Sequence, residues 1–215
     1  QVGAHYTSER DILKVVRSLF LDRLKAEFES LSGNKKKLAE FHRKIASLRF
    51  LDPACGCGNF LVVTYRELRR LEIAILLAIH TTAGGLQQIT DINTLSLIDV
   101  DSMYGIEINE FAAELARISI WIGYLKWKKE NWQLDKTPPI LKPLDTIECR
   151  DAILKRDKTG KPIAKPAEWP EADFVIGNPP FLGSKLFRKW GLTDDYLDAL
   201  YSAYDLPKTS DLCCY

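Results

Sequence analysis

No apolar run in the sequence approaches the roughly 20 residues needed to span a bilayer; Leu71–Ile79 is too short and continues a helix. A secretory signal pattern is also missing. The five cysteines form no disulfide framework: Cys55 and Cys57 flank a glycine, Cys213 and Cys214 are adjacent, and Cys149 stands in a strand-like segment. These spacings differ from the Cys pairs of zinc sites, so no metal is expected. With no membrane segment and no staples, the natural compartment is a reducing cytoplasm. Neither sign of charge dominates: the net value of +1 carries no nucleic-acid signature by itself. Internal repeats are absent too. The chain begins at Gln1, its one methionine is Met103, and it stops shortly after a Pro-Lys-Thr-Ser-Asp break. It is therefore expected to be a piece of a longer polypeptide.

What is present suits one α/β domain of 215 residues, 46% hydrophobic and 27% charged. Ser8 and Asp11 resemble a capping box opening a helix to about Ser30, with Ile12, Val16, Leu19, Leu24 and Phe28 on one face. Gly33-Asn34 ends it, and a basic helix is expected over Lys36–Ser47. A strand at Leu48–Leu51 and a helix over Asn59–Ile79 follow. Thr81–Asp101 reads as an excursion. Met103–Ile108 is a second strand, and Glu110–Lys129 a helix with Phe111, Leu115, Ile118, Ile122 and Leu125 on its apolar face. Thr137–Pro143 is a connection, Thr146–Arg150 a third strand, and Lys155–Glu171 a mobile loop rich in lysine and proline. A fourth strand covers Asp173–Gly177, and Gly183–Tyr204 is helical. Basic residues cluster at Lys35–Lys37 with Arg43 and Lys44, and again from Arg150 to Lys165, where they are candidates for phosphate contact.

This alternation predicts a doubly wound, mostly parallel Rossmann-like α/β sheet behind an N-terminal helical segment. Each strand ends in a polar group (Asp52, Glu107, Asp151, Asn178) on the edge where such sheets bind ligands. The turn after the first strand, Asp52-Pro53-Ala54-Cys55-Gly56-Cys57-Gly58-Asn59-Phe60-Leu61, lacks both G-x-G-x-x-G and a P-loop lysine. A carboxylate there repels a pyrophosphate and welcomes a cation. S-adenosylmethionine, with an ammonium and a sulfonium, fits that charge. Glu107 lies far beyond the roughly 20 residues that usually separate the turn from a ribose-binding acid; the excursion accounts for the excess. Glu107 is expected to accept the ribose hydroxyls and Asp151 the cofactor's adenine amino group.

Asn178-Pro179-Pro180-Phe181 is the most specific stretch. Two prolines remove two amide donors and fix the backbone. The Asn178 side-chain oxygen and the Pro179 carbonyl can then accept both hydrogens of one planar amine. The amine's lone pair is thereby aimed at an electrophilic methyl, and catalysis comes mainly from positioning. Phe181 offers a face on which a flipped-out base can stack.

Together these runs resemble the amino-methyltransferases, specifically the N6-adenine DNA methyltransferases of the gamma arrangement, a class I S-adenosylmethionine-dependent fold. Gly3-Ala4-His5-Tyr6-Thr7 resembles the family's N-terminal motif, whose threonine touches the methionine end of the cofactor, although Ser8 replaces the frequent proline. Tyr104-Gly105-Ile106-Glu107-Ile108 resembles the ribose motif and Cys149-Arg150-Asp151-Ala152, more loosely, the adenine motif. Gly3–Val15, Leu48–Glu72 and Val100–Ile108 resemble the methylase of single-chain type II restriction–modification enzymes. By that resemblance, residues 1–47 form a helical segment carrying a cofactor motif, and 48–215 a catalytic domain incomplete at its C-terminus. The expected partner is double-stranded DNA with a flipped-out adenine, with nuclease and target-recognition domains elsewhere in the parent chain. The Asn-Pro-Pro-aromatic run also serves RNA and protein-glutamine amines, and a cofactor-sensing module gating a nuclease is a rival of another class.

Overall fold

The computed structural model describes residues 7–82, 85–86, 95–131 and 143–215. Ser8 caps α1 (Glu9–Val16): its hydroxyl oxygen accepts from the Asp11 amide at 3.3 Å. The hydroxyl also donates to the Asp11 carboxylate at 2.6 Å, so the box closes side chain to side chain. A π-helical turn, Arg17–Leu21, joins α1 to α2 (Asp22–Ser30). The wider turn brings positions four and five after Val16 beneath it, so Phe20 and Leu21 are buried and Leu19, expected inward, is 43% exposed. Asn34 caps α3 (Lys35–Ala46) by accepting from the Lys37 amide at 3.0 Å.

β1 (Phe50–Asp52) feeds the glycine turn and α4 (Asn59–His80). After it, β2 (Thr81–Thr82) and β3 (Gly85–Leu86) pair as a small antiparallel ribbon. Next come β4 (Met103–Glu107), α5 (Glu110–Asn131) and β5 (Ile147–Cys149), then β6 (Leu154–Arg156), β7 (Pro162–Pro166) and β8 (Phe174–Val175). The main sheet runs β5-β4-β1-β8 with every pairing parallel, so the fold is the expected α/β arrangement. Phe50 stacks on Phe174 at 5.3 Å between ring centroids, and Phe20 of the π turn lies 4.9 Å from each. The N-terminal helices and the sheet thus share one core.

Glu72 on α4 pins the chain returning to β4. Its carboxylate accepts the amides of Leu97 and Ile98, and meets His42 and Arg69 at 2.7 Å each. Burial pushes this acid upward, but His42, the Arg69 charge and the Leu97 amide outweigh it and hold the carboxyl below the usual range.

Three further expectations fail. The apolar stripe of α5 faces outward: Phe111 is 73%, Ile118 52% and Ile122 58% exposed, while Leu115 and Leu125 are half-buried. The buried face carries Ala113, Ala116, Ile120 and Trp127. Small residues let α5 approach α4 closely; a Cβ at Gly58 would meet Ala116 at 3.3 Å, and one at Gly123 would meet Val62 at 3.0 Å. Second, Lys155–Glu171 contains a hairpin, β6 with antiparallel β7, rather than a loop. The Asp157 carboxylate accepts from the Thr159 and Lys161 amides at its tip, and Gly160 takes a left-handed φ of 83°. The expected Gly183–Tyr204 helix is two 3-10 turns, Ser184–Leu186 and Arg188–Trp190, then α6 (Asp194–Ala203), with Gly191 at φ 90° breaking the run. Leu154, Leu182, Phe187, Tyr196, Leu197 and Leu200 form a second, smaller core. Most of the connection expected at Thr137–Pro143 lies outside the described residues.

Candidate active site

The carboxyl ends of β4, β1 and β8 bring the predicted residues to one edge. Asp52 ends β1 and is 1% exposed. Its Oδ1 accepts from the Ala54 amide at 3.1 Å, folding Pro53 and Ala54 into a tight turn. Burial pushes this carboxyl up to about 7; the Ala54 amide opposes the rise and the Glu107 charge adds to it.

Cys55 donates its backbone amide to Ile106 at 3.1 Å and buries its side chain under β4. A Cβ at Gly105 would meet the Cys55 Sγ at 2.9 Å, so that glycine makes room for the turn. Burial pushes the Cys55 thiol up, whereas Cys57, two residues on, is exposed. Gly56 at φ 52° has open space where a side chain would stand. Its amide donates to Glu107 Oε2 at 2.9 Å, and Asn109 donates to Oε1 at 2.8 Å. Glu107 therefore locks the glycine turn to the end of β4. Gly58, at φ 81°, precedes α4, and Asn59 begins it. Phe60 and Leu61 send their side chains into the main core and serve the edge by fixing where α4 starts. Ile108 is 61% exposed beside Glu107.

Asn178, Pro180 and Phe181 are exposed and Pro179 half-buried. They leave β8 directly against Asp52: a Cβ at Gly177 would lie 2.5 Å from Asp52 Oδ1. Asn178 Nδ2 donates to the Thr7 hydroxyl at 3.1 Å, so the N-terminal motif reaches the catalytic candidate. Tyr6 lies outside the described residues.

Asp151 is placed differently. It is 5% exposed, with Oδ1 accepting from the Ile153 and Leu154 amides and the Tyr196 hydroxyl, and Oδ2 from Arg156 at 3.1 Å. Half-buried Ala152 gives its carbonyl to the Trp169 indole at 2.7 Å. This end of β5 borders a cavity of about 510 Å³ lined by Arg150, Lys155 and Trp169 among others. Sequence reasoning gave no role to Gly177 and quoted Gly105 only within the ribose motif; both serve by having no side chain. Gly177 directly precedes Asn178, whereas Gly105 meets Asp52 only through the pairing of β4 with β1. Among the described residues, no His, Cys, Asp and Glu cluster suits a metal, and no helix is long and apolar enough to cross a membrane.

Residues 28–202 match the family described as MmeI, DNA-methyltransferase domain. The chain belongs to that family. It is 39% identical over 193 residues to DNA methyltransferase A of Bacillus subtilis, covering 87% of this chain and 21% of that protein. A putative type II restriction enzyme and methyltransferase of Methanocaldococcus jannaschii is 29% identical over 107 residues, covering 49% of this chain and 8% of that one. Among solved structures, the type IIL restriction–modification enzyme MmeI in complex with DNA matches with a TM-score of 0.67 at 38% identity, covering 98% of this chain and 27% of the MmeI chain. The chain thus spans only about a fifth of the Bacillus relative. The family match bears out the resemblance to restriction–modification methylases read from the motifs.

Proposed function

We propose that this domain, within a restriction–modification protein, methylates the N6 amino group of adenine in double-stranded DNA with S-adenosylmethionine as donor. The observation carrying the reading is the emergence of Asn178–Phe181 from β8 against the buried Asp52, with Gly177 leaving no side chain between them.

The edge fits that donor. Asp52 keeps acceptor capacity beyond the single Ala54 amide, and a buried carboxylate of that kind favours a cation. Gly56 leaves open space above the turn. When bound, S-adenosylmethionine supplies an electrophilic methyl group on a sulfonium. Thr7, Tyr6, Asp52 and the Pro53–Leu61 turn would hold the methionine part, Glu107 and Ile108 the ribose side, and the Asp151–Ala152 turn would border the adenine. With its carboxylate already committed within the chain, Asp151 would serve there chiefly by shaping the turn.

Asn178 Oδ1 and the Pro179 carbonyl would accept the two hydrogens of the target amine, and Phe181, 75% exposed, would stack on the extruded base. Positioning supplies the catalysis, and the amine's proton leaves after transfer. The division at residue 47 is a division of roles, since both parts share one core.

The test uses the full-length parent with methyl-labelled S-adenosylmethionine and mixed DNA, RNA and protein, with products identified by mass spectrometry. Label in N6-methyladenine of DNA is expected, and Asn178→Ala is expected to abolish it. Label in RNA or glutamine, or cofactor binding without label, would overturn the reading.

A further inference from the structure

Asn178 can work only if its amide oxygen, and not its NH2, faces the target amine. An asparagine side chain is nearly symmetric in shape, and a hydroxyl can accept from its nitrogen or donate to its oxygen, so which of the two bonds forms decides which end points outward. Asn178 is exposed, and the contact that orients it comes from a residue far away in sequence. Its Nδ2 donates to the Thr7 hydroxyl at 3.1 Å.

Both sides of that bond are held firmly. Thr7 directly precedes Ser8, the cap of α1, and α1 buries Ile12 and Val16 in the main core. Glu9 on the first turn of α1 meets Arg66 of α4 at 2.8 Å, tying this helix start to the helix that the Asp52 turn begins. On the other side, Ile176 is buried and its amide donates to Leu51 at 2.8 Å, fixing the approach to Asn178.

We infer that Thr7 is a positioning residue. Its hydroxyl accepts from the Asn178 amide nitrogen and so presents Oδ1 to the incoming amine. This rests on the proposed reaction and departs from the reading of Thr7 as purely a cofactor contact. Thr7→Val keeps the shape and removes the acceptor. Thr7→Ser keeps the acceptor.

The experiment is performed on the full-length parent. It measures single-turnover methyl transfer, S-adenosylmethionine affinity by calorimetry, and base extrusion by fluorescence of 2-aminopurine at the target position. Thr7→Val is expected to slow transfer about five- to tenfold, the worth of one hydrogen bond. Cofactor affinity is expected to fall by clearly less than the rate does, base extrusion to stay within about twofold, and Thr7→Ser to restore most of the rate. Unchanged transfer in Thr7→Val overturns the inference. So does a loss matched by an equal loss of cofactor affinity, which would make Thr7 a cofactor contact, or a loss that Thr7→Ser fails to rescue. Asn178→Ala, run alongside, separates the two levels: its retained transfer would sink the proposed site itself. An inactive Asn178→Ala with an unaffected Thr7→Val would sink only the role of Thr7.

Discussion

Asp52 and Asp151 are the same residue type at the ends of two parallel strands of one sheet, and the protein treats them in opposite ways. Asp52, at the end of β1, is buried with a single amide donor, and its surroundings push the proton on. Asp151, past β5, is buried with two amides, a tyrosine hydroxyl and an arginine. A buried carboxylate with unused acceptor capacity is unfavourable until a cation arrives, whereas one with its oxygens engaged is a structural pin. Asp151 joins the main sheet to the second core through Tyr196 and Leu154. The two strand ends thus differ in how much acceptor capacity the fold leaves over.

This contrast can be broken in four places. Asp52→Ala in the full-length parent should weaken S-adenosylmethionine binding about hundredfold, as removal of a charge-assisted partner does, while leaving thermal stability at pH 8 unchanged or raised. Calorimetry and a melting curve check both, and an intact affinity would erase the distinction. Asp151→Ala should instead cost about 2 kcal/mol of stability by urea denaturation, since it strands two amides and loosens Arg156, with a smaller effect on the cofactor. Gly177→Ala would force a Cβ against Asp52 and should reduce cofactor affinity about tenfold. Gly183→Ala, with no neighbour within 4 Å, should behave as wild type.

The same contrast also has a pH dependence. Asp52 ordinarily titrates at 3.8 and is raised to about 7 in the folded chain. Between those values the folded state holds a proton that the unfolded state has lost. Cofactor-free stability from this group is therefore present at low pH and falls as pH rises through about 7, by at most about 1.4 kcal/mol per pH unit. Cofactor binding, which uses the anion, should tighten over the same rise. Asp52→Asn should remove both trends, read as the difference between the two proteins' melting and titration curves.

Much of this edge was legible because its signals are local. Ser8 is a capping residue in a capping position, Asp52 closes an apolar run before two glycines, and Asn178-Pro179-Pro180 can hardly continue a strand. The outward stripe of α5 was illegible for a physical reason. That helix packs on α4 and its leading turn through Ala116 and Gly123, and close approach of small residues outweighs the area of Phe111, Ile118 and Ile122, which periodicity alone points inward. The hairpin after Asp151 was hidden because Pro162 and Pro166 sit at the two ends of β7, where a missing donor costs least, so a strand looked like a loop. The partners of Asp151 come from Arg156 and Tyr196, and nothing in the spacing of 151 and 196 announces their contact.

The glycine turn also carries a chemical handle. Cys55 is sealed beneath β4 with its thiol proton held on, while Cys57 stands exposed on the same turn. A thiol-reactive dye would therefore distinguish two sulfurs only two residues apart. With the exposed Cys149, Cys213 and Cys214 replaced, a fluorophore on Cys57 would sit at the rim of the proposed cofactor crevice. It would convert occupancy of that crevice into an optical signal followed in real time.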